Sequence, residues 1–361
     1  MFARVTLSPQ PVPASERDAE SAALNAVCGE SDRALITVAA RFAAQTTDGA
    51  RELDADTISS TLRAAGSPYV WPRAWLFTGP AGDVLEPKTR MLRWLSTFGE
   101  GGVRRCGIAV QQQAGRGVRI GAIAVDALAD LEPLPTRVRP GQWLDVRASL
   151  RVPASDAKLV VMGPQGAPHP VPTSFHDGRV RARFNADRPG TWLVQLLADV
   201  EGGPRPLLEA WVFAGVEPPS ELSVPSAPGE DAVRASSDPR TTLYALVNAA
   251  RESEHLSPLE PDPALEALAQ AHAEAMRRAR KTAHDVGDGD LNQRLAALGL
   301  ELEAGENVAH AGSAALAQRA LWASPSHREN LLLPGFARVG IGVAPDPDGT
   351  LWVCQTFAMG R

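Results

Sequence analysis

The chain of 361 residues has few cysteines, no excess of basic residues and no long apolar run. Its three cysteines, Cys28, Cys106 and Cys354, are too few and too scattered for a zinc finger or a disulfide framework. No stretch approaches the roughly 20 apolar residues that span a bilayer, so the sequence predicts no transmembrane segment. The start of the chain lacks a charged segment followed by an apolar run, so no signal peptide is visible.

The charge balance argues against nucleic acid as a partner. The formal net charge is −6 at pH 7, and from Ser236 onward 11 Lys and Arg stand against 16 Asp and Glu. An acidic domain without a basic stripe lacks the electrostatic footprint of nucleic-acid binding. The composition, 44% hydrophobic and 22% charged, is typical of a folded chain. Its length is sufficient for two or three domains.

The cysteines leave one question open. Cys28 and Cys106 could pair in an oxidising compartment, and the sequence does not decide whether they are bonded. Cys354 lies in an apolar strand pattern and is interpreted as a buried small hydrophobe.

Residues 16–131 are predicted to form an N-terminal α/β unit. A helix with one buried face is indicated by Leu35, Val38, Ala39 and Phe42, and Asp32 can cap its start. Two β-branched strands follow near 105–110 and 118–125. Similar helix and strand patterns recur 230 and 233 residues later, which suggests an internal duplication in which this unit is a degenerate copy of the C-terminal one. The copy has no histidine, because the first in the chain is His169.

The centre of the chain changes character. Alternating apolar and polar residues between Pro-Gly turns predict an antiparallel, immunoglobulin-like β-sandwich over residues 134–215. His169 and His176 are expected in its loops. Residues 216–237, rich in Pro, Ser and Ala, are predicted to be a linker, and residues 238–361 to be the C-terminal domain.

Five short motifs in the last third of the chain occur in a fixed order. They are residues 268–276 followed by His284, residues 305–308, Trp322 with residues 324–330, residues 339–343, and residues 352–357. In this order they resemble the CAP (SCP-like) domain in its short bacterial form. The resemblance implies an α-β-α sandwich and a secreted or periplasmic protein, although the sequence leaves a cytoplasmic location open.

The resemblance also implies a central cavity in which histidine and acidic side chains face one another. Its first histidine falls on His284, its acidic residue on Glu306 with Asn307 beside it, and its second histidine on His327. A further acidic residue that many members carry after the tryptophan is missing, since Trp322 is followed by Ala-Ser-Pro-Ser. Two neutral imidazoles and a carboxylate match both a zinc site with open positions and a hydrogen-bonded polar cluster. His284 and His327 are therefore candidate ligands for a divalent metal such as zinc.

Local physics adds an expectation for His327. Ser324 and Pro325 are predicted to begin a helix, which places His327 in the first turn. The positive end of the helix dipole disfavours imidazolium there by about 0.3–1 kcal/mol, so the ring is expected to be neutral. His272, on the apolar face of an earlier helix, is interpreted as a satisfied core histidine.

Three functions follow from these residues. The first is a binding module that takes a lipid, a peptide or an envelope component into the C-terminal cavity. The alternative is a hydrolase, metal-assisted or built on Glu306 and a histidine. The second alternative is a structural or adhesion protein. The missing second acid favours binding over catalysis.

Overall fold

The computed structural model describes residues 5–6, 24, 26–44, 55–80, 85–99, 101–113, 117–219, 221–222, 225–233 and 238–360. The fold is mixed α/β with several sheets. The chain divides into two compact units. The first comprises Met1–Lys158, Pro172–Leu196 and Pro206–Ser223, and the second comprises Leu159–Val171, Leu197–Arg205 and Val224–Arg361.

The regular elements are numbered in chain order. The helices are α1 Arg33–Ala44, α2 Ala55–Ala64, α3 Leu85–Leu95, α4 Pro239–Ser253, α5 Pro263–Ala279, α6 Leu291–Ala297, α7 Ala314–Ala323 and α8 Pro325–Leu332. The strands are β1 Val5–Thr6, β2 Glu30–Ser31, β3 Arg73–Pro80, β4 Val103–Gln113, β5 Gly117–Ala127, β6 Ala129–Leu131, β7 Arg137–Val138, β8 Gln142–Leu150, β9 Asp156–Met162, β10 His169–Val171, β11 Thr173–His176, β12 Arg179–Ala186, β13 Gly190–Val200, β14 Gly203–Ala214, β15 Glu221–Leu222, β16 Glu260–Pro261, β17 Ala304–Ala311, β18 Phe336–Pro345 and β19 Leu351–Met359.

The N-terminal sheet has the strand order β2-β4-β5-β3. The predicted helix is α1, and the Asp32 carboxylate caps it by accepting from Leu35 N at 3.0 Å. The two predicted strands are β4 and β5, which pair antiparallel. The sequence patterns did not predict helices α2 and α3 or strand β3. Helix α1 lies against β4 at Gly107, where a Cβ would come within 2.0 Å of Ile36 N.

Cys28 and Cys106 form a disulfide that joins the segment before β2 to strand β4. Their Cα atoms are 5.6 Å apart and the two residues are separated by 78 positions. Both cysteines are buried in the core of the N-terminal unit, with Met91 and Ile108 among their neighbours in the cluster. The bond therefore closes a long loop through the centre of this unit.

Removing this disulfide should destabilise the N-terminal unit. A Cys28→Ala/Cys106→Ala variant is expected to lose about 3 kcal/mol of unfolding free energy, because the cross-link restricts a long loop in the unfolded chain. Urea denaturation with and without reductant measures the effect. The wild-type midpoint should fall in reductant and that of the variant should stay in place. A wild-type midpoint that ignores the reductant would contradict the prediction.

The central region is built of strands, as its alternating pattern indicates. One sheet has the order β10-β9-β13-β14-β7 and the other has the order β11-β12-β8-β6. Two expectations need correction. Strand β7 pairs parallel to β14, so the predicted all-antiparallel arrangement is wrong at that edge. His169 and His176 lie on β10 and β11 and not in loops, because these short edge strands lack the alternating pattern that predicts a strand.

Part of the predicted linker packs on the C-terminal domain. Ala227 is buried in that domain's apolar core, and residues 230–232 form a short 3-10 helix. The Glu230 carboxylate accepts from Arg319 on α7 and, at 2.8 Å, from the Ala227 backbone N–H. Residues 225–233 therefore belong structurally with the domain that follows.

The C-terminal domain has a sheet of order β16-β18-β19-β17 between two layers of helices. Apolar residues of α5 pack on one face of the sheet, and those of α4, α7 and α8 pack on the other. Four of these helices begin at a capping side chain. Side chains of Asp238, Asp262, Asp290 and Ser313 cap α4, α5, α6 and α7, and Asp290 with Gln293 forms a capping box.

Candidate functional site

Glu306 lies near the start of β17 and points to the sheet face that α5 covers. Strand alternation puts Glu306 and Val308 on this face and Asn307 on the opposite one. His284 lies in the loop between α5 and α6. Its ring Nδ1 donates to Glu306 Oε1 at 2.9 Å. The structure thus brings together two of the predicted site residues.

Arg294 on α6 completes this pair. One guanidinium nitrogen donates to Glu306 Oε2, and another donates to the His284 backbone carbonyl at 3.1 Å. The Glu306 side chain is 2% exposed and that of Arg294 is 9% exposed. Burial would raise the pKa of Glu306. The hydrogen bond from His284 and the charges of His284, His272 and Arg294 outweigh it and hold that pKa below its usual value.

His272 supports the cluster from α5. It is fully buried, with its Nδ1 2.8 Å from Asp288 Oδ2 and its Nε2 donating to the Ala283 carbonyl at 3.0 Å. The prediction of a satisfied core histidine is confirmed. The structure also places His272 beside Glu306. Its Nε2 is 3.8 Å from Glu306 Oε1, so His272 adds to the positive surroundings of the buried carboxylate. Anchoring Ala283 also fixes the residue before His284.

Cys354 on β19 contacts the same carboxylate. It is buried, and its thiol donates to Glu306 Oε2 at 3.4 Å. Burial and the charge of Glu306 raise the pKa of Cys354 well above its usual value, so the thiol stays protonated. A protonated, buried thiol is a poor nucleophile.

His327 lies in the first turn of α8, as predicted. Burial, with a smaller contribution from the charge of His284, lowers the pKa of His327 to about 3. The expected neutral ring is therefore found, but burial is its main cause and not the helix dipole. Among the described residues no hydrogen bond joins the His327 ring to His284 or Glu306, so a cavity shared by all three stays a prediction.

The Asn307 side chain lies on the other face of the sheet. Its side chain donates to the His327 carbonyl at 3.1 Å and accepts from Asn330 at 2.9 Å. Asn330 also donates to the Glu306 carbonyl at 3.1 Å. Asn307 is fully buried, so it holds α8 against β17 and does not present its amide to a ligand in this arrangement.

A buried arginine fixes the far end of α8. Arg251 on α4 is 1% exposed and donates to the carbonyls of Ser257, Leu331, Leu333 and Phe336 at 2.7–3.2 Å. Burial lowers its pKa. The bonds to Leu331 and Leu333 satisfy carbonyls that the end of α8 leaves without an intrahelical partner. Helix α8, which carries His327, is thus held at both ends.

The His284 loop is also supported from the β13–β14 turn, which belongs to the same compact unit. Asp285 N donates to the Gly202 carbonyl at 3.1 Å. A Cβ at Gly203 would lie 2.8 Å from His284 Cβ, and Gly203 has a φ of +101°. Glycine at this position lets the turn approach the histidine.

The predicted metal site finds no support in the donor set. No group of three or more His, Cys, Asp and Glu side chains suited to a metal ion occurs among the described parts of the chain. His284 Nδ1 and both Glu306 oxygens already have protein partners. A zinc ion at Glu306 would have to displace His284 or Arg294, and a metal held by His284 and His327 stays a prediction.

Sequence reasoning missed Arg294, Asp288 and Cys354 as members of the cluster. Arg294 follows the α6 capping box by one residue, and nothing local marks it as an inward-facing side chain. Cys354 could have been found from the strand register. It pairs with Val308, two residues after Glu306, which puts its side chain on the same face.

The C-terminal domain is a three-layer α-β-α domain with a histidine–glutamate pair beside its sheet, and these two features place it in a structural class. Residues 244–356 match the CAP family model, described as the cysteine-rich secretory protein family. The C-terminal segment is therefore a CAP domain, and the resemblance seen in its motifs is confirmed.

Solved structures include several that are similar to this chain. An outer surface protein from Borrelia burgdorferi is 22% identical with a TM-score of 0.32, over 35% of this chain and 97% of that one. An extracellular SCP-domain protein from Bacillus anthracis is 17% identical with a TM-score of 0.31, over 63% and 89%. A cysteine-rich secretory protein from Staphylococcus aureus is 13% identical with a TM-score of 0.29, over 64% and 88%.

No curated protein matches the chain. Within the described ranges, no helix has the combined length and apolar character needed to cross a bilayer.

Proposed function

We propose that the C-terminal CAP domain is a binding module that takes a lipid, a peptide or an envelope component at His284 and His327. The observation that carries this proposal is the state of His284. Its Nδ1 is held by Glu306, its side chain is 19% exposed, and its Nε2 has no hydrogen-bond partner among the described residues. A fixed imidazole with one free nitrogen is suited to hydrogen-bonding a ligand.

The state of Glu306 favours binding over hydrolysis. A general base needs a free carboxylate oxygen within reach of the proton that it removes. Both oxygens of Glu306 are engaged, and its pKa is held low by surrounding positive charge. Such a carboxylate acts as an anchor for His284 and Arg294 and is a weak base.

Mass spectrometry of natively purified protein tests this proposal. A compound that copurifies with the wild type should fall at least tenfold in occupancy in His284→Ala, because the variant lacks the exposed nitrogen. His327→Ala should also reduce it. The effect of His327 should be the same at pH 5 and pH 7.5, since a group with a pKa of about 3 is neutral at both.

His169→Ala is the matched control, because His169 is an exposed histidine on β10 and should leave occupancy unchanged. Equal occupancy in His284→Ala and the wild type would reject the binding site. Ester or peptide hydrolysis that disappears in Glu306→Gln would replace the proposal with the hydrolase alternative.

We also propose that the protein is exported. The Cys28–Cys106 disulfide supports this, because disulfides persist in oxidising compartments and are rare in the cytosol of mesophiles. The buried position of both sulfur atoms fits a structural bond and not a catalytic one.

The N-terminal unit is proposed to be a degenerate copy of the CAP domain. Both sheets place the first, third, fourth and second of their strands in that order, and in both the short first strand pairs parallel with the third. In both, an aspartate caps the helix that follows the first strand. Two sheets built independently would have little reason to share these details.

The contacts of the two caps support the same offset. Asp32 N donates to the Cys106 carbonyl at 3.2 Å, and Asp262 N donates to the Val339 carbonyl at 3.0 Å. These pairs are 230 and 233 positions apart in the sequence. Without histidine the N-terminal copy would be a structural or partner-binding unit, joined to the CAP domain by an immunoglobulin-like spacer.

A further inference from the structure

One face of the sheet β11-β12-β8-β6 carries exposed arginines in an acidic protein. Arg179, Arg181 and Arg183 project from alternate positions of β12 and are exposed, while the residues between them are buried. The neighbouring strand β8 adds Arg147, which lies directly opposite Arg181. We call this surface the arginine face.

The positive charges of these neighbouring arginines repel one another. Like charges directly opposite each other across an antiparallel pair are destabilising. Arg179 and Arg181 form no ion pair within the described residues, and the pairs of Arg147 with Glu132 and of Arg183 with Asp145 are long, at 4.0 and 3.8 Å. An anion lying across the face would relieve the repulsion.

The face also offers a flat aromatic surface and a hollow. Trp143 on β8 is 55% exposed, and the Arg183 guanidinium lies 5.1 Å from the centre of its ring. A hollow of about 280 Å³ is lined by Arg147, Arg181, Arg183 and Asp145. Successive arginines on one face of a strand are about 7 Å apart, so the charges form a row along β12.

We propose that the arginine face binds a linear acidic polysaccharide with a carboxylate on its sugar units. Guanidinium groups bind carboxylates through paired hydrogen bonds. Trp143 would stack on the apolar face of a sugar ring, and Asp145 would accept from its hydroxyl groups. This site is separate from the CAP domain and does not depend on the function proposed for it.

A nucleic acid is the less favoured occupant. Proteins that bind single strands stack successive bases on several aromatic side chains, and the arginine face presents one exposed tryptophan.

Titration of the full-length protein with polygalacturonate, dextran and poly-dT tests the proposal. The wild type should bind polygalacturonate and not dextran. Arg147→Gln/Arg179→Gln/Arg181→Gln should raise the Kd for polygalacturonate at least tenfold and lower the slope of log Kd against log salt by about two to three. Because these side chains are exposed and repel one another, the variant should fold at least as stably as the wild type.

A matched variant separates the face from overall charge. Arg33→Gln/Arg90→Gln/Arg278→Gln removes the same charge from exposed positions on three helices and should change the Kd less than twofold. Trp143→Ala should weaken binding of polygalacturonate and leave binding of inorganic polyphosphate unchanged.

Three results would overturn the proposal. The first is that the wild type does not bind polygalacturonate. The second is that the matched variant loses as much affinity for polygalacturonate as the variant of Arg147, Arg179 and Arg181. The third is that poly-dT binds more tightly than polygalacturonate and that its binding depends on the same three arginines. The last result would assign the face to nucleic acid.

Discussion

Gly340→Ala should destabilise the CAP domain by more than the about 1–3 kcal/mol typical of an overpacked core. A Cβ at Gly340 on β18 would lie 2.1 Å from the backbone carbon of Leu265 on α5. The obstacle is backbone, so no rotamer change relieves it, and α5 must move away from the sheet. Hydrogen exchange measured by mass spectrometry should show loss of protection in α5 and β18.

Gly312→Ala is the control within the same domain, because its Cβ would meet only Leu316 Cδ1 at an ordinary 3.7 Å. Gly107→Ala is the counterpart in the N-terminal unit, where a Cβ would lie 2.0 Å from Ile36 N. It should deprotect α1 and β4 and leave α5 protected. Gly340→Ala with normal protection of α5 would contradict the proposed close packing.

The elements that sequence patterns predicted are those with strong local signals. An aspartate followed by proline marks the starts of α4 and α5, and the Asp290–Gln293 capping box marks that of α6. These signals are local, since each depends on side chains within one turn. The alternation of β8 and β12 was equally visible because one face of each strand is buried.

The elements that were missed depend on contacts distant in sequence. Strand β3 pairs with β5 over separations that run from 37 positions (Pro80 with Gly117) to 51 positions (Arg73 with Ala124), and its burial does not alternate regularly. The segment 225–233 reads as a linker by composition. It is ordered through Glu230, whose partner Arg319 lies 89 positions away. Composition alone cannot show such a pairing.

The candidate site divides in the same way. The motifs located His284, Glu306 and His327, and the structure brings the first two into contact. His284 makes the largest contribution that lowers the pKa of Glu306, and His272 and Arg294, which no motif marks, add to it. Arg294 also occupies Glu306 Oε2, so the carboxylate is an anchored ion instead of the base that the hydrolase alternative requires, and no local signal in the sequence marks this contact.

The second large effect is expected for Arg294→Met. This change removes the positive partner of a carboxylate that is 2% exposed, and loss of one partner of a buried ion pair costs about 3–5 kcal/mol. Wild-type Glu306 has a lowered pKa, so its contribution is present above the unfolded value of 4.5 and is lost as pH falls through the folded value. The variant loses one of the contributions that lower the pKa of Glu306, so that pKa rises. Urea denaturation should therefore show a stability difference that is large at pH 7.

That difference should shrink below about pH 4.5, because a protonated Glu306 no longer needs a cation. The control is Arg294→Met/Glu306→Gln, in which the buried charge is also removed. This double variant should recover part of the stability at pH 7, giving a coupling energy between the two positions. If Arg294 acts only by filling space, the double variant should recover no stability. Glu306→Gln would then add its own loss of unfolding free energy to that of Arg294→Met. A stability difference of the same size at pH 4 and pH 7 would likewise show that the ion pair does not hold Glu306 in its charged state.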